Sequence, residues 1–198
     1  IADHGITLVP GDCVYVDLNA DGEINSNDAT RDIGYTAMPE YTAGLNTGFS
    51  WKNFDFSMQW TGAWNADRML DEFRRPLGDT NEKGLLLYQY DTTWRSSADT
   101  FTAKFPRTSS LHASNNYAGS DLYLINASYL RLKSVEIGYN FNFPFMKKMK
   151  MDNCRLYVNG YNLVTITGFK WGDPESRQSS RPNYPLTRVF NIGLKLGF

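Results

Sequence analysis

Cysteine is scarce. Cys13 and Cys154 are the only two in 198 residues, too far apart to suggest a zinc site or a disulfide framework. Histidine is equally thin: His4 and His112 stand alone in loop-like sequence, with no second ligand at metal spacing, so neither a metal nor a catalytic role is expected of them. Charge of one sign is missing too. Twenty basic residues face 21 acidic ones, which leaves no basic stripe for nucleic acid. No stretch approaches the ~20 apolar residues of a membrane-crossing helix, which says nothing against crossing by strands. There is no Gly-x-Ser-x-Gly, P-loop or dinucleotide fingerprint, and no enzyme is expected. The opening IADHGITLVPGD lacks the charged and apolar regions of a signal peptide, so the chain is expected to be a mature form or a piece of a longer one.

Aromatics, by contrast, are plentiful: 12 Tyr, 12 Phe and 5 Trp, or 15% of the chain. The mean hydropathy is nonetheless negative. Such a chain must segregate its two kinds of residue, and strand alternation does so. The last segment, RVFNIGLKLGF, places Phe190, Ile192, Leu194, Leu196 and Phe198 on one face, against Val189, Asn191, Gly193, Lys195 and Gly197 on the other. Residues 41–50 set Tyr41, Ala43, Leu45, Thr47 and Phe49 against Thr42, Gly44, Asn46, Gly48 and Ser50. Residues 53–64 set Phe54, Phe56, Met58, Trp60 and Trp64 against Asp55, Ser57, Gln59 and Thr61; with only Trp51 and Lys52 between, the two runs read as a hairpin. A fourth run, 129–143, puts Val135, Ile137, Tyr139, Phe141 and Phe143 opposite Glu136, Gly138, Asn140 and Asn142. In the fifth, 153–164, the facing stays open, because Leu156 and Val158 compete with Tyr157 and Tyr161.

Each run is close to the ~9–11 residues with which a tilted strand crosses a bilayer. One face is apolar and aromatic. The other is polar but weakly charged, as for a barrel lumen. If Phe198 ends on the periplasmic side, the short connections 51–52 and 144–152 fall there, and the long ones, 65–128 and 165–187, fall outside, as in outer-membrane barrels. This topology separates Cys13 from Cys154, and no bond between them is expected. The fold class expected is therefore all-β: antiparallel transmembrane β-barrel strands with long external loops. Five strands fall short of the minimum of about eight that closes a bacterial barrel, so a fragment of a larger domain is expected. The division expected is an external loop over 1–40 and barrel strands with their loops over 41–198.

Several stretches together resemble the C-terminal third of the SusC/RagA-type TonB-dependent transporters: GDCVYVDLNADGEINSNDATRDIG, YTAGLNTGFSWKNFDFSMQWTG, YLRLKSVEIGYNF, LYVNGYNLVTIT and the closing YPLTRVFNIGLKLGF. The polar-x-Gly-x-x-apolar-x-aromatic ending, here Asn191, Gly193, Leu196 and Phe198, is similar to the C-terminal signal of outer-membrane barrels. The resemblance implies uptake of a nutrient such as a glycan or peptide across the outer membrane of a Gram-negative bacterium. It implies a SusD-like surface lipoprotein as partner, the TonB complex as energy source, and a plug with the remaining strands of a barrel in the roughly 22-strand class.

One motif carries chemistry of its own. In DLNADGEINSND, Asp17, Asn19 and Asp21 hold positions one, three and five of an EF-hand-like loop, with Gly22 at six and Ile24 at eight. Alternate oxygen ligands converge on one hard cation once the loop curls, so structural calcium is expected on Asp17, Asn19, Asp21, Glu23 and Asp28. Asp28 stands where the pattern expects Glu. A polar Asx-rich turn without metal is the other reading. A secreted calcium-dependent carbohydrate-binding β-domain therefore stays open beside the transporter; it would bury the aromatic face that a transporter turns to lipid. Asp71 and Glu72 sit among Arg74 and Arg75 and read as solvated ion pairs. Residues 82–94 read as a short helix, and Trp64, Trp94, Trp171 and Tyr184 as rim anchors or sugar-stacking rings.

Overall fold

The computed structural model describes residues 1–71, 74, 87–144, 150–176 and 186–198. Five long strands form one antiparallel sheet: β1 (Tyr41–Trp51), β2 (Phe54–Trp64), β5 (Tyr129–Phe141), β6 (Asn153–Thr167) and β7 (Val189–Gly197), in the order β1-β2-β5-β6-β7. Two short strands, β3 (Asp67–Met69) and β4 (Leu124–Asn126), make a second sheet. Strand neighbours in the large sheet are thus sequential, as the alternation predicts. The β1–β2 turn is Lys52–Asn53, since Trp51 still pairs with Phe54; Lys52 takes the left-handed φ of 57° that a tight hairpin asks of its first loop residue. Strand β6 runs three residues beyond the predicted 164.

Register assigns the faces. Phe56 pairs with Ile137, Ile137 with Val158, and Val158 with Ile192, so these four share one side. That side is left open: Phe54, Ile137, Phe190 and Ile192 are exposed, the last two at 71% and 74%. Aromatic rings line it toward the turn end, Phe54 against Tyr139 and Phe49 against Phe56, each with centroids 5.4 Å apart. The pairing also resolves β6, placing Leu156 and Val158 on the apolar face and Tyr157 on the polar one. A bulge explains why the alternation of 129–143 is legible only from Val135 onward. Gln59 pairs with Ser134 but Trp60 pairs with Leu132, so Lys133 is skipped and the facing inverts. Strand β6 absorbs the same shift at Asn162, whose φ is 54°.

The chain gathers into two compact units, the described parts of 35–67, 126–176 and 186–198 in one, and of 1–34 and 68–125 in the other. These units are drawn differently from the division 1–40 and 41–198. Residues 35–40 join the sheet, where Tyr35 N donates to Asp67 Oδ2 at 2.8 Å and Glu40 N to the Asn65 carbonyl at 3.3 Å. The connection 68–125 gathers with the N-terminal segment and carries a helix, α1 (Leu87–Thr92), within the predicted 82–94; residues 82–86 lie outside the described residues.

Candidate functional site

The polar face of the sheet is organised by one arginine. Arg155 on β6 donates from Nε to Asp55 Oδ1 on β2 at 3.1 Å, from Nη2 to Asp55 Oδ2, and from Nη2 to Glu136 Oε1 on β5 at 2.7 Å. Asn159 Nδ2 extends the chain to Glu136 Oε2 at 3.2 Å, and Asn191 Nδ2 on β7 reaches Asn159 Oδ1 at 2.9 Å. Two glycines make room for it. A Cβ on Gly138 would strike the Arg155 guanidinium, and one on Gly193 the Tyr157 ring. Long side chains therefore lie flat along the wall. Four strands share one hydrogen-bond network of two carboxylates and one guanidinium, which suits a polar surface facing water or another polar body rather than a dry core.

The second unit holds the candidate calcium loop. Asp17 Oδ2 accepts from Gly22 N at 2.8 Å, Asn19 Oδ1 from Asp21 N at 3.1 Å, and Asp21 Oδ1 from Glu23 N at 2.9 Å. Gly22 has φ 88°, left-handed and suited to glycine, whereas Ala20 adopts φ 60° at some cost. The loop's exit pairs with the chain start: Asp3 N donates to the Gly22 carbonyl at 2.8 Å and Ile24 N to the Asp3 carbonyl at 2.7 Å. Asp28 turns both oxygens onto backbone amides, of Leu18 and Asn25, each at 2.8 Å; these bonds hold its carboxyl below the usual range. Among the described residues no group of three or more His, Cys, Asp or Glu side chains is gathered as for a metal ion. The five expected ligands thus share one loop, but Asp28 faces the backbone. Asp17 Oδ1 differs from the rest: it is shut off from solvent and has no hydrogen-bond partner.

Sequence reading missed a buried cluster in the same unit. Asp12, whose side chain is 1% exposed, receives Arg107 Nε at 2.6 Å, His112 Nδ1 at 2.6 Å, Asn116 Nδ2 at 2.9 Å and Val9 N at 3.0 Å. Burial alone would raise its pKa, but these bonds outweigh burial and hold the carboxyl well below the usual range. The side-chain partners lie about a hundred positions from Asp12, so no local spacing could reveal them. His4 is also structural, its Nε2 accepting from Tyr15 N at 2.9 Å. Asp71 and Arg74 form the expected ion pair at 2.8 Å; Glu72, Arg75 and Tyr184 lie outside the described residues. The Trp94 ring lies against Gly11 and the Trp64 ring against Gly62, so both rings pack within the chain. Both cysteines are free.

No protein-family model matches the chain. Curated relatives do. It is 30% identical over 206 residues to the TonB-dependent receptor P3 of Formosa agariphila, covering 96% of this chain and 19% of the relative. It is 28% identical over 191 residues to the TonB-dependent receptor SusC of Bacteroides thetaiotaomicron, again covering 96% of this chain and 18% of the relative. The chain matches the C-terminal part of SusC/RagA-type TonB-dependent receptors. It spans about a fifth of the length of these relatives. Solved structures carry the same fold. The RagAB peptide importer in its "open-open" state aligns with a TM-score of 0.67 at 20% identity, over 93% of this chain and 20% of that one. In its "closed-closed" state the TM-score is 0.63 at 24% identity, over 96% and 21%. The chain is thus an antiparallel set of barrel strands, as its alternation predicts.

Proposed function

We propose that this segment supplies lipid-facing wall and polar lumenal surface to a TonB-dependent receptor that imports a nutrient across the outer membrane of a Gram-negative bacterium. One observation carries the reading. A single antiparallel sheet leaves its apolar, aromatic face exposed while its polar face is knit by Arg155, Asp55 and Glu136. A carbohydrate-binding β-domain would bury that apolar face, and this arrangement argues against it. The relatives support the import reading by what they are: TonB-dependent receptors, one of them SusC. The RagAB structures are those of a peptide importer, and a peptide or glycan is the cargo proposed here. The proposed partners are a SusD-like surface lipoprotein, the TonB complex, the remaining strands and plug of the receptor, and outer-membrane lipid.

The loop 17–28 is proposed to bind one structural calcium ion on the external side. Asp17, Asn19 and Asp21 would hold it with the Glu23 carbonyl, and Asp28 would exchange its amide bonds for the cation. The support is Asp17 Oδ1, a buried carboxylate oxygen with no partner, which a cation would satisfy. Calcium titration of the full-length receptor tests this: saturable heat from the parent, abolished by Asp17→Ala with Asp21→Ala, is expected. Equal heats from both would sink the site. For import, a strain lacking the receptor is complemented with it and grown on a protein digest or a glycan mixture, with and without a functional TonB system. Growth on one of them that requires TonB is expected. Growth indifferent to TonB would overturn the reading.

A further inference from the structure

At the end of the sheet opposite the Lys52–Asn53 turn, Arg131 on β5 is, among the described residues, the most deeply buried charge of the sheet unit, at 2% exposure. It sits on the polar face, on the far side of the bulge from Glu136. Its guanidinium reaches segment 168–176, which follows β6: Nη2 donates to Asp173 Oδ1 at 2.6 Å and Nη1 to Glu175 Oε2 at 2.7 Å. Nε donates to Thr165 Oγ1 at 3.1 Å, and the Tyr129 ring lies 5.2 Å from the cation. In the same segment Phe169 is 6% exposed and Pro174 is buried. The segment's own backbone contributes a turn bond from Ser176 N to the Asp173 carbonyl at 3.1 Å, Glu175 N to Asp173 Oδ1 at 2.9 Å and Phe169 N to Thr167 Oγ1 at 3.1 Å. Arg131 therefore joins this segment to the sheet. A fork of two parallel donors suits two carboxylates from one loop, and a point-charge lysine would not reproduce it.

We propose that Arg131 is a positioning residue that straps residues 168–176 against the polar face as a fixed ledge in the path of the imported nutrient. Glu175 of this ledge and Lys133 of β5 beside it are each 43% exposed and lie 3.9 Å apart. Removing the arginine takes its ion pair from Asp173, whose side chain is 11% exposed, and the shorter of two ion pairs from Glu175, and the ledge lifts to rehydrate them. The position of the ledge stands on this geometry alone; its place in the nutrient's path rests on the import reading above.

The test uses the full-length receptor with Cys13→Ser and Cys154→Ser, carrying a nitroxide at Ser176→Cys. An immobilised spectrum is expected for the parent and a motionally averaged one for Arg131→Met. Arg131→Lys falls between them, and adding Asp173→Asn and Glu175→Gln to Arg131→Met recovers part of the immobilisation. A control label at Ser57→Cys on β2 stays unchanged. An immobilised label at 176 in Arg131→Met overturns the strap. If Arg131→Met does not fold, by its gel mobility before heating, Asp173→Asn with Glu175→Gln alone decides by the same readout, mobile for and immobile against. Growth on the digest or glycan mixture separates the second half of the proposal. With the ledge released, the concentration for half-maximal growth rises severalfold while the maximal rate holds. An unmoved half-saturation overturns the ledge's place in the path. A parent receptor that supports no TonB-dependent growth overturns the import reading and leaves the label result standing.

Discussion

Val135 offers the sharpest energetic test of which face meets lipid. It lies on the apolar side of β5, paired with Met58, while its neighbour Ser134 lies on the polar side, paired with Gln59 and Tyr161. Met58 is four residues beyond Phe54 at the turn. At about 3.3 Å per residue and a tilt near 45°, that is about 9 Å of depth, close to the middle of an apolar band about 25 Å tall. An arginine there should cost about 2–4 kcal/mol, because its charge must be dragged into hydrocarbon or its strand distorted. The same arginine at 134 points into a hydrated, polar surface and should cost under about 1 kcal/mol. Reversible denaturant unfolding of the receptor in lipid vesicles, followed by gel mobility before heating, reads both variants in one assay. Equal costs, or a larger cost for Ser134→Arg than for Val135→Arg, would refute the facing and with it the bilayer argument.

Other outcomes follow from the loop unit. Acid should loosen it: Asp12 and Asp28 have lowered folded pKa values, so their contribution is complete above the unfolded value near 3.9 and drains away as pH falls below it. Asp12→Asn should cost about 3–5 kcal/mol at neutral pH, since it leaves Arg107 uncompensated, and should shallow the acid transition measured by circular dichroism. Burial pushes the Cys13 thiol up to about 11, so at pH 8 it should react with a maleimide about 100-fold more slowly than a free thiol of pKa 9; a reaction at the free rate would contradict its placement. Gly22→Ala should cost about 1 kcal/mol by backbone strain alone, because nothing lies within 4 Å of the added methyl; Ala20→Gly, relieving a φ of 60°, should stabilise by a few tenths of that in thermal melts.

The strands were readable in the sequence because a half-lipid, half-polar environment enforces strict alternation, and β7 keeps it without a break from Val189 to Gly197. Legibility failed where the ladder slips. Skipping Lys133 moves Arg131 onto the polar face, and no pattern confined to one strand announces a bulge whose partner is Asn162–Leu163 on another. The loop 17–28 was legible as an Asx-rich spacing, and its backbone hydrogen bonds follow that spacing; that Asp28 would face Leu18 and Asn25 was not, because its short side chain can satisfy either amides or a cation. The clusters around Asp12 and Arg131 were invisible for a different reason. Their members meet across about 100 and 40 residues of chain, and ion pairs at that separation leave no local periodicity.

The central claim, that one face of this sheet meets lipid and the other the lumen, is tested most directly along β7. Nitroxides placed singly from Val189 to Leu196 in the receptor, reconstituted in lipid bilayers, are read for collisions with oxygen and with a polar nickel chelate. Labels at 190, 192, 194 and 196 should favour oxygen, and those at 189, 191, 193 and 195 the chelate, a period of two running in antiphase. A flat profile, or one with the phases exchanged, would contradict the account.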